Sequence, residues 1–200
     1  MLTLFHAPNS RSTSIVALIH ELGVADRVGI REVTIPRQDG SGGRDPSNPH
    51  PEGKVPVLLA DGEMVRERGA IVLYLTDRFP AAKLGPLPGE AKRGAYLSWL
   101  FYYQGVLEPV ALLHAFGITH PALQATFRDF DTMIGEIEAA LREGPYLLGE
   151  AYSAADLLMA SPFAWFPQMA EGSGAIRDWV ARCQDRDGIR TARERDNPGA

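Results

Sequence analysis

The stretch that most constrains this chain is 50–75, HPEGKVPVLLADGEMVRERGAIVLYL. Its period changes midway. Residues 55–60 are a short apolar run with β-branched members, the pattern of a strand. Asp61-Gly62 is a two-residue hairpin signal, and Met64-Val65 supplies the return strand. From Glu67 the spacing turns helical, with Ala70, Ile71, Tyr74 and Leu75 on one face. Pro56 heads the strand and has no N–H to give to a ladder. It therefore belongs at an edge, a strand start or a bulge.

This pattern has a chemical consequence. A cis Val55–Pro56 bond costs only about 0.5–1 kcal/mol for an X–Pro pair. It would aim the N–H and C=O of Val55 away from the sheet. An open main-chain pair beside a sheet takes an extended peptide by strand addition. Glu67, Arg68 and Gly69 then form the first turn of a helix, whose N–H groups attract a carboxylate. Glu67 adds an anion for an ammonium group. Together these suit a small peptide with an amine and a carboxylate at one end. The same residues also read as an ordinary hairpin and a surface helix with solvated charges.

The stretch resembles the second half of the glutathione-binding domain of cytosolic glutathione transferases. The family pattern there is G-[KRQ]-V-P-x-L, a hairpin, then E-S-x-A-I opening a helix. This chain has GKVPVL and ERGAI. It departs in one place, where the family's Ser is Arg68. In the family that Ser bonds the γ-glutamyl carboxylate. Arg68 either holds the same carboxylate by charge or points away and weakens the site.

Composition bounds the alternatives. Two hundred residues allow one large domain or two small ones. A hydrophobic share of 45% with 22% charged residues is ordinary for a globular protein. A net charge of −5 argues against a nucleic-acid surface. No apolar run approaches a membrane span, and Met1-Leu2-Thr3 starts a strand rather than a signal peptide, so the expected location is cytoplasmic. The single cysteine, Cys183, leaves no internal disulfide and no cysteine-based metal cluster.

In chain order, residues 2–6 read as a strand and Ala7-Pro8-Asn9-Ser10 as a turn. Residues 12–22 read as a helix stopped by Gly23, and 28–35 as a second strand. Residues 36–53 are rich in Gly, Pro, Asp and Ser and read as a mobile loop. Strand, helix, strand, loop, hairpin and helix require a right-handed crossover with a parallel pair, then an antiparallel return. That is a thioredoxin-like α/β domain over 1–80.

The turn APNSRSTS carries the chemistry. It lies where a strand ends and a helix begins, under the positive end of the helix dipole. A free thiol titrates at about 8.5. One or two hydrogen bonds to a thiolate sulfur, at about 1.5–3 kcal/mol each, lower that by about one to two units. The thiolate is the nucleophile. By resemblance, this turn holds the family's sulfur-activating residue. Asn9 stands where theta- and zeta-like members have a catalytic Ser, and Arg11 where beta-like members have Cys. Ser10 is the first candidate for the thiolate donor, Asn9 the second and Ser12 the third. Turn formation by Asn9 and Ser10, with Ser12 as helix N-cap, is the structural use of the same residues.

Residues 81–89 read as a linker, and 90–200 as an all-helical domain. Residues 90–116 carry one long helical pattern, bent by Gly105 and Pro109. A second helix starts at Pro121 and runs to Gly144-Pro145. LLGEAYSAADLLMA, from Leu147, contains a capping box of Ser153 and Asp156 and resembles the family's L-x-G-x-x-x-[ST]-x-A-D signature. Its role there is folding. A last helix covers 176–183, and the charged tail from Asp187 reads as frayed.

The resemblance spans nearly the whole chain. It implies an enzyme that binds glutathione as co-substrate and adds its sulfur to a small apolar electrophile. Lys54 would hold the glycyl end with His50 beside it, Val55 and Pro56 the cysteinyl backbone, and Glu67 with Arg68 the γ-glutamyl end. The electrophile would lie near Tyr102, Tyr103, Leu107 and His114. The family usually forms homodimers. The same fold also serves glutathione-dependent reduction or isomerisation, and non-catalytic ligand carriers or interaction proteins.

Overall fold

The computed structural model describes residues 1–199 and falls into two compact units. The first comprises residues 1–82 together with the segment from Arg186 onward, and the second residues 83–185.

The first unit is the thioredoxin-like arrangement. Its strands are β1 (Leu2–His6), β2 (Val28–Glu32), β3 (Val57–Ala60) and β4 (Glu63–Val65), in the order β2-β1-β3-β4. β1 runs parallel to β2, with Leu4 opposite Ile30, and antiparallel to β3, with Leu4 opposite Leu58. The Asp61-Gly62 hairpin joins β3 to β4 in the register Leu59 to Met64. Asp61 and Gly62 both have positive φ, 51° and 93°, which this type of turn requires. Helix α1 (Thr13–Glu21) buries Ile15, Val16, Leu18 and Ile19 completely, each worth about 1.5–3 kcal/mol. Helix α2 (Arg68–Arg78) buries Ile71, Val72 and Leu75. Ala70 is exposed and Tyr74 half-buried, so the buried face is rotated from the one expected. A smaller cluster of Phe5, Val33 and Val57 packs with Val55 and Leu59.

The tail is where the expectation fails. Residues 187–196 are not frayed. They form helix α9 (Asp187–Asp196), which packs along α1 in the first unit. Glu21 receives the Arg186 guanidinium on Oε2 and the Gly188 N–H on Oε1 at 2.9 Å. Gly188 has no Cβ, and that allows the close approach. A Cβ there would stand 2.7 Å from Ala17 O. A helical domain over 90–200 is therefore corrected to one ending at Asp185.

The second unit is all helix. The long pattern at 90–116 resolves into α3 (Arg93–Tyr102), a π-helical turn (Tyr103–Leu107) and α4 (Glu108–Ala115). The π-turn contains Gly105 and precedes Pro109, as kinks of this kind do. The helix expected from Pro121 is two helices, α5 (Pro121–Phe127) and α6 (Phe130–Arg142). Arg128 at φ 70° breaks it, and Asp129 caps α6 by accepting the Thr132 N–H at 2.7 Å. Helix α7 (Ala154–Trp165) passes through Pro162, and a 3-10 turn (Pro167–Ala170) follows. Helix α8 (Gly174–Gln184) completes the unit. Asp156 is its buried node. Oδ2 takes Ser153 N–H and Oγ at 2.9 Å each, while Oδ1 takes Leu147 N–H at 2.8 Å and Trp179 Nε1 at 3.0 Å.

Candidate functional site

Val55 stands at the entry to β3 after a cis Val55–Pro56 bond. The β1–β3 ladder begins only at Val57, opposite Phe5. The N–H and C=O of Val55 join no main-chain bond among the described residues. This is the open peptide edge that the sequence suggested.

One flank of that edge is the turn at 45–54. Asn48 braces it, its Oδ1 accepting the His50 N–H at 3.0 Å and its Nδ2 donating to Lys54 O at 3.1 Å. His50 is buried, and its Nδ1 accepts the Glu52 N–H at 3.0 Å. A ring whose Nδ1 accepts carries its hydrogen on Nε2 when neutral. Burial holds the His50 pKa below its ordinary value of 6.5. The Lys54 ammonium is exposed, 3.5 Å from Glu52.

The other flank is the start of α2. Glu67 is exposed and has φ 68°, ψ 128°, outside the left-handed helical well. A non-glycine residue held there costs about 1–3 kcal/mol, and such positions cluster at ligand sites. Arg68 is only 5% exposed, and its Nη1 donates to Ser14 Oγ of α1 at 3.4 Å. The Arg68 side chain is therefore packed against α1. The first N–H groups of α2 have no acceptor within the helix.

The β1–α1 turn holds the three sulfur-activating candidates, and the structure separates them. Ser12 is fully buried and is not a side-chain cap of α1. Its Oγ lies 2.8 Å from His6 Nδ1, accepts the Ala7 N–H at 3.1 Å and lies 2.7 Å from Ser10 Oγ. Ser12 therefore cannot touch a ligand, which removes it from the catalytic set. Ser10 is half-buried, and its Oγ accepts the Ser12 N–H at 3.1 Å. Asn9 is exposed at φ 52°, and its Nδ2 donates to Asn197 Oδ1 at 2.9 Å.

Sequence reasoning missed four residues here. Asp196, from the end of α9, accepts the Asn9 N–H at 2.7 Å, the Thr13 hydroxyl at 2.5 Å and His6 Nε2 at 2.9 Å. Asn197 pairs with Asn9. Arg37 anchors the long loop by donating to Pro8 O at 2.7 Å and Asn9 O at 3.3 Å. His6 is wholly buried on β1. A polar His inside an apolar strand was the only signal in the sequence.

The proposed acceptor residues lie in the second unit and do not form one surface. Tyr103 and Leu107 are fully buried in the π-turn, and the Tyr103 hydroxyl donates to Glu108. They are core residues. Tyr102 packs edge-on to Trp99, with Arg128 over its ring. His114 is exposed and stacks on Phe130 at 3.8 Å.

A thioredoxin-like unit with an open main-chain edge, joined in sequence to an all-helical unit, is the glutathione transferase architecture. No family model matches the chain. A GST-like protein of Streptococcus mutans is 29% identical over 168 residues, covering 74% of this chain and 63% of its own length. The chain thus spans less than two thirds of that relative. Glutathione S-transferase 3 of Schizosaccharomyces pombe is 25% identical over 218 residues, covering 98% and 88%. The solved glutathione transferase of Methylococcus capsulatus superposes with a TM-score of 0.78 at 23% identity, covering 99% and 100%. A sphingomonad glutathione S-transferase complexed with glutathione does so at 0.75 and 22%, covering 97% and 98%. The chain is thus similar in sequence to glutathione S-transferases and has the fold of the solved bacterial glutathione transferases.

Proposed function

We propose that the protein is a glutathione transferase that binds glutathione in its first unit and adds the sulfur to a small apolar electrophile. The cysteinyl backbone pairs with the N–H and C=O of Val55. The ammonium of the γ-glutamyl residue meets Glu67, and its carboxylate meets the first-turn N–H groups of α2. Lys54 and the Nε2–H of His50 take the glycyl carboxylate. The sulfur then lies at the β1–α1 turn beside Ser10, with Asn9 next to it. The observation that carries this reading is the unbonded Val55 pair, flanked by a strained anion on one side and by two cationic or donor groups on the other. The names of the relatives and the glutathione complex among the structural neighbours support it.

We place the protein in the cytoplasm as a homodimer. A groove of about 500 Å³ lined by Val65, Ala70, Leu73, Tyr74, Asp77 and Arg78 offers a seat for a side chain of a second copy.

The test is calorimetric titration with glutathione, followed by turnover of chloro-dinitrobenzene. Binding with turnover is expected. Ser10→Ala should lower kcat/KM by about tenfold to a hundredfold with the glutathione Kd little changed. Binding without turnover would leave a carrier on the same fold. Failure to bind at millimolar glutathione overturns the proposal.

A further inference from the structure

Four groups form one unbroken chain from the turn into the interior. Ser10 Oγ lies 2.7 Å from Ser12 Oγ, Ser12 Oγ 2.8 Å from His6 Nδ1, and His6 Nε2 2.9 Å from Asp196 Oδ1. Their hydrogens are not independent. The Asp196 carboxylate only accepts, so His6 Nε2 carries a hydrogen. With the imidazole neutral, Nδ1 is a lone pair, and the Ser12 hydroxyl donates to it at 2.8 Å in preference to its other acceptor, Ala7 O, at 3.3 Å. The two acceptor positions of Ser12 Oγ are then filled by the Ala7 N–H at 3.1 Å and by the Ser10 hydroxyl. Ser10 Oγ accepts the Ser12 N–H at 3.1 Å and keeps one lone pair. In this state Ser10 can accept a hydrogen and cannot give one.

With the imidazole protonated, every hydrogen reverses. Nδ1–H donates to Ser12 Oγ, Ser12 donates to Ser10, and the Ser10 hydroxyl is released to donate outward. The two patterns differ by one proton entering at Ser10 and ending on His6.

We propose that His6, acting through Ser12 and Ser10, takes up and keeps the proton that the bound thiol gives away. This rests on the placement of the glutathione sulfur beside Ser10. The thiol S–H bond breaks as its hydrogen passes to Ser10 Oγ. Ser10 gives its own hydrogen to Ser12, and Ser12 gives its own to His6 Nδ1. The products are a thiolate accepting a bond from Ser10 and an imidazolium held by the Asp196 carboxylate. His6 and Asp196 are positioning residues, because neither touches the sulfur. Burial keeps the resting His6 neutral and ready to accept, while Asp196 favours the cation it becomes. The other charges acting on His6 are Arg195, which opposes the cation, and Glu32, which favours it.

The test counts protons. Thiolate is read by its ultraviolet absorbance on glutathione binding. Released protons are read by calorimetry in buffers of different ionisation enthalpy. Thiolate should form without a matching proton in the buffer. Ser12→Ala should break the chain and raise the thiolate midpoint by about one pH unit, about a tenfold loss of rate at neutral pH, while Ser12→Thr should retain it. His6→Gln and Asp196→Asn should shift the midpoint in the same direction, with the glutathione Kd and circular dichroism reporting intact folding. One buffer proton per thiolate in the native protein overturns the proposal, as does an unchanged midpoint in Ser12→Ala. The resting pattern is tested without glutathione by the ring nitrogen shifts of His6. The Nε2–H tautomer is expected, and the Nδ1–H tautomer overturns the relay even if glutathione binds. Absence of binding with the Nε2–H tautomer would overturn the glutathione reading and, with it, the thiol as proton source.

Discussion

His6 Nε2 and Asp196 Oδ1 are 2.9 Å apart although 190 positions separate the two residues. Both side chains are almost completely buried. The contact ties the last turn of α9 to the first strand, so the chain's end belongs to the stability of its beginning.

A pH dependence follows. Burial holds His6 below its ordinary 6.5, with Asp196 only partly offsetting it. The unfolded chain therefore binds more protons than the folded one between those two values. Stability is fully present above pH 6.5 and is lost as pH falls from there through the folded pKa. His50, also lowered by burial, acts in the same direction. Urea midpoints taken from about pH 8 down to about pH 5 should fall, and His6→Gln should flatten the slope. A native midpoint that rises on acidification would contradict the assignment.

Glu67 is expected to trade stability for binding. Its backbone, at φ 68° and ψ 128°, is one a glycine adopts freely. Glu67→Gly should therefore raise unfolding stability by about 1 kcal/mol. It should also weaken glutathione binding by about tenfold or more through loss of the anion. Thermal melts and titration of the same sample read both. Weaker binding without a gain in stability would mean the backbone strain is already offset locally.

Two glycines make a matched pair. A Cβ on Gly188 would lie 2.6 Å from Glu21 Cγ and 2.7 Å from Ala17 O. Gly188→Ala should push α9 from α1 and cost about 1–3 kcal/mol. Proteolysis of the tail should accelerate with it. Gly94 sits in α3 with nothing within 4 Å of where its Cβ would be. Gly94→Ala should stabilise by about 0.5–1 kcal/mol. Equal effects from the two would mean that crowding at the α1–α9 contact is not what distinguishes them.

What the sequence made legible was local. The Asp61-Gly62 dipeptide, the change of period at Glu67 and the spacing of Ser153 to Asp156 each act over a few residues, and each element they mark is present. Helix α9 was not legible, because among 187–196 only Ile189 and Ala192 are buried hydrophobics. Its docking rests on Gly188 and Asp196, whose partners are 167 and 190 positions away. The break at Arg128 was hidden because the apolar spacing runs on through Phe127 and Phe130. Ser12 holds the position of an N-cap, yet its hydroxyl turns back to His6, a competitor that local spacing does not reveal.

Asp156 tests how far a folding signature can be separated from the chemistry. Each of its carboxylate oxygens accepts two buried donors, Ser153 N–H and Oγ on one and Leu147 N–H and Trp179 Nε1 on the other. Asparagine is nearly the same size but has one oxygen. Turned toward Leu147 and Trp179, its NH₂ faces two N–H donors; turned toward Ser153 it faces one, because the Ser153 hydroxyl can accept from it, so at least one buried N–H loses its partner. Asp156→Asn should therefore cost about 1–3 kcal/mol. Ser153→Ala, which leaves three of the four bonds, should cost about 1 kcal/mol. Because all four residues lie in the second unit, glutathione affinity of the folded fraction should be unchanged in both variants. Urea unfolding followed by tryptophan fluorescence, with titration at low temperature, measures the two quantities separately. An Asn variant as stable as the native protein would mean that the four donors do not depend on a carboxylate, and that the node is held by packing of Trp179 against Phe163, whose rings meet edge-to-face at 6.1 Å.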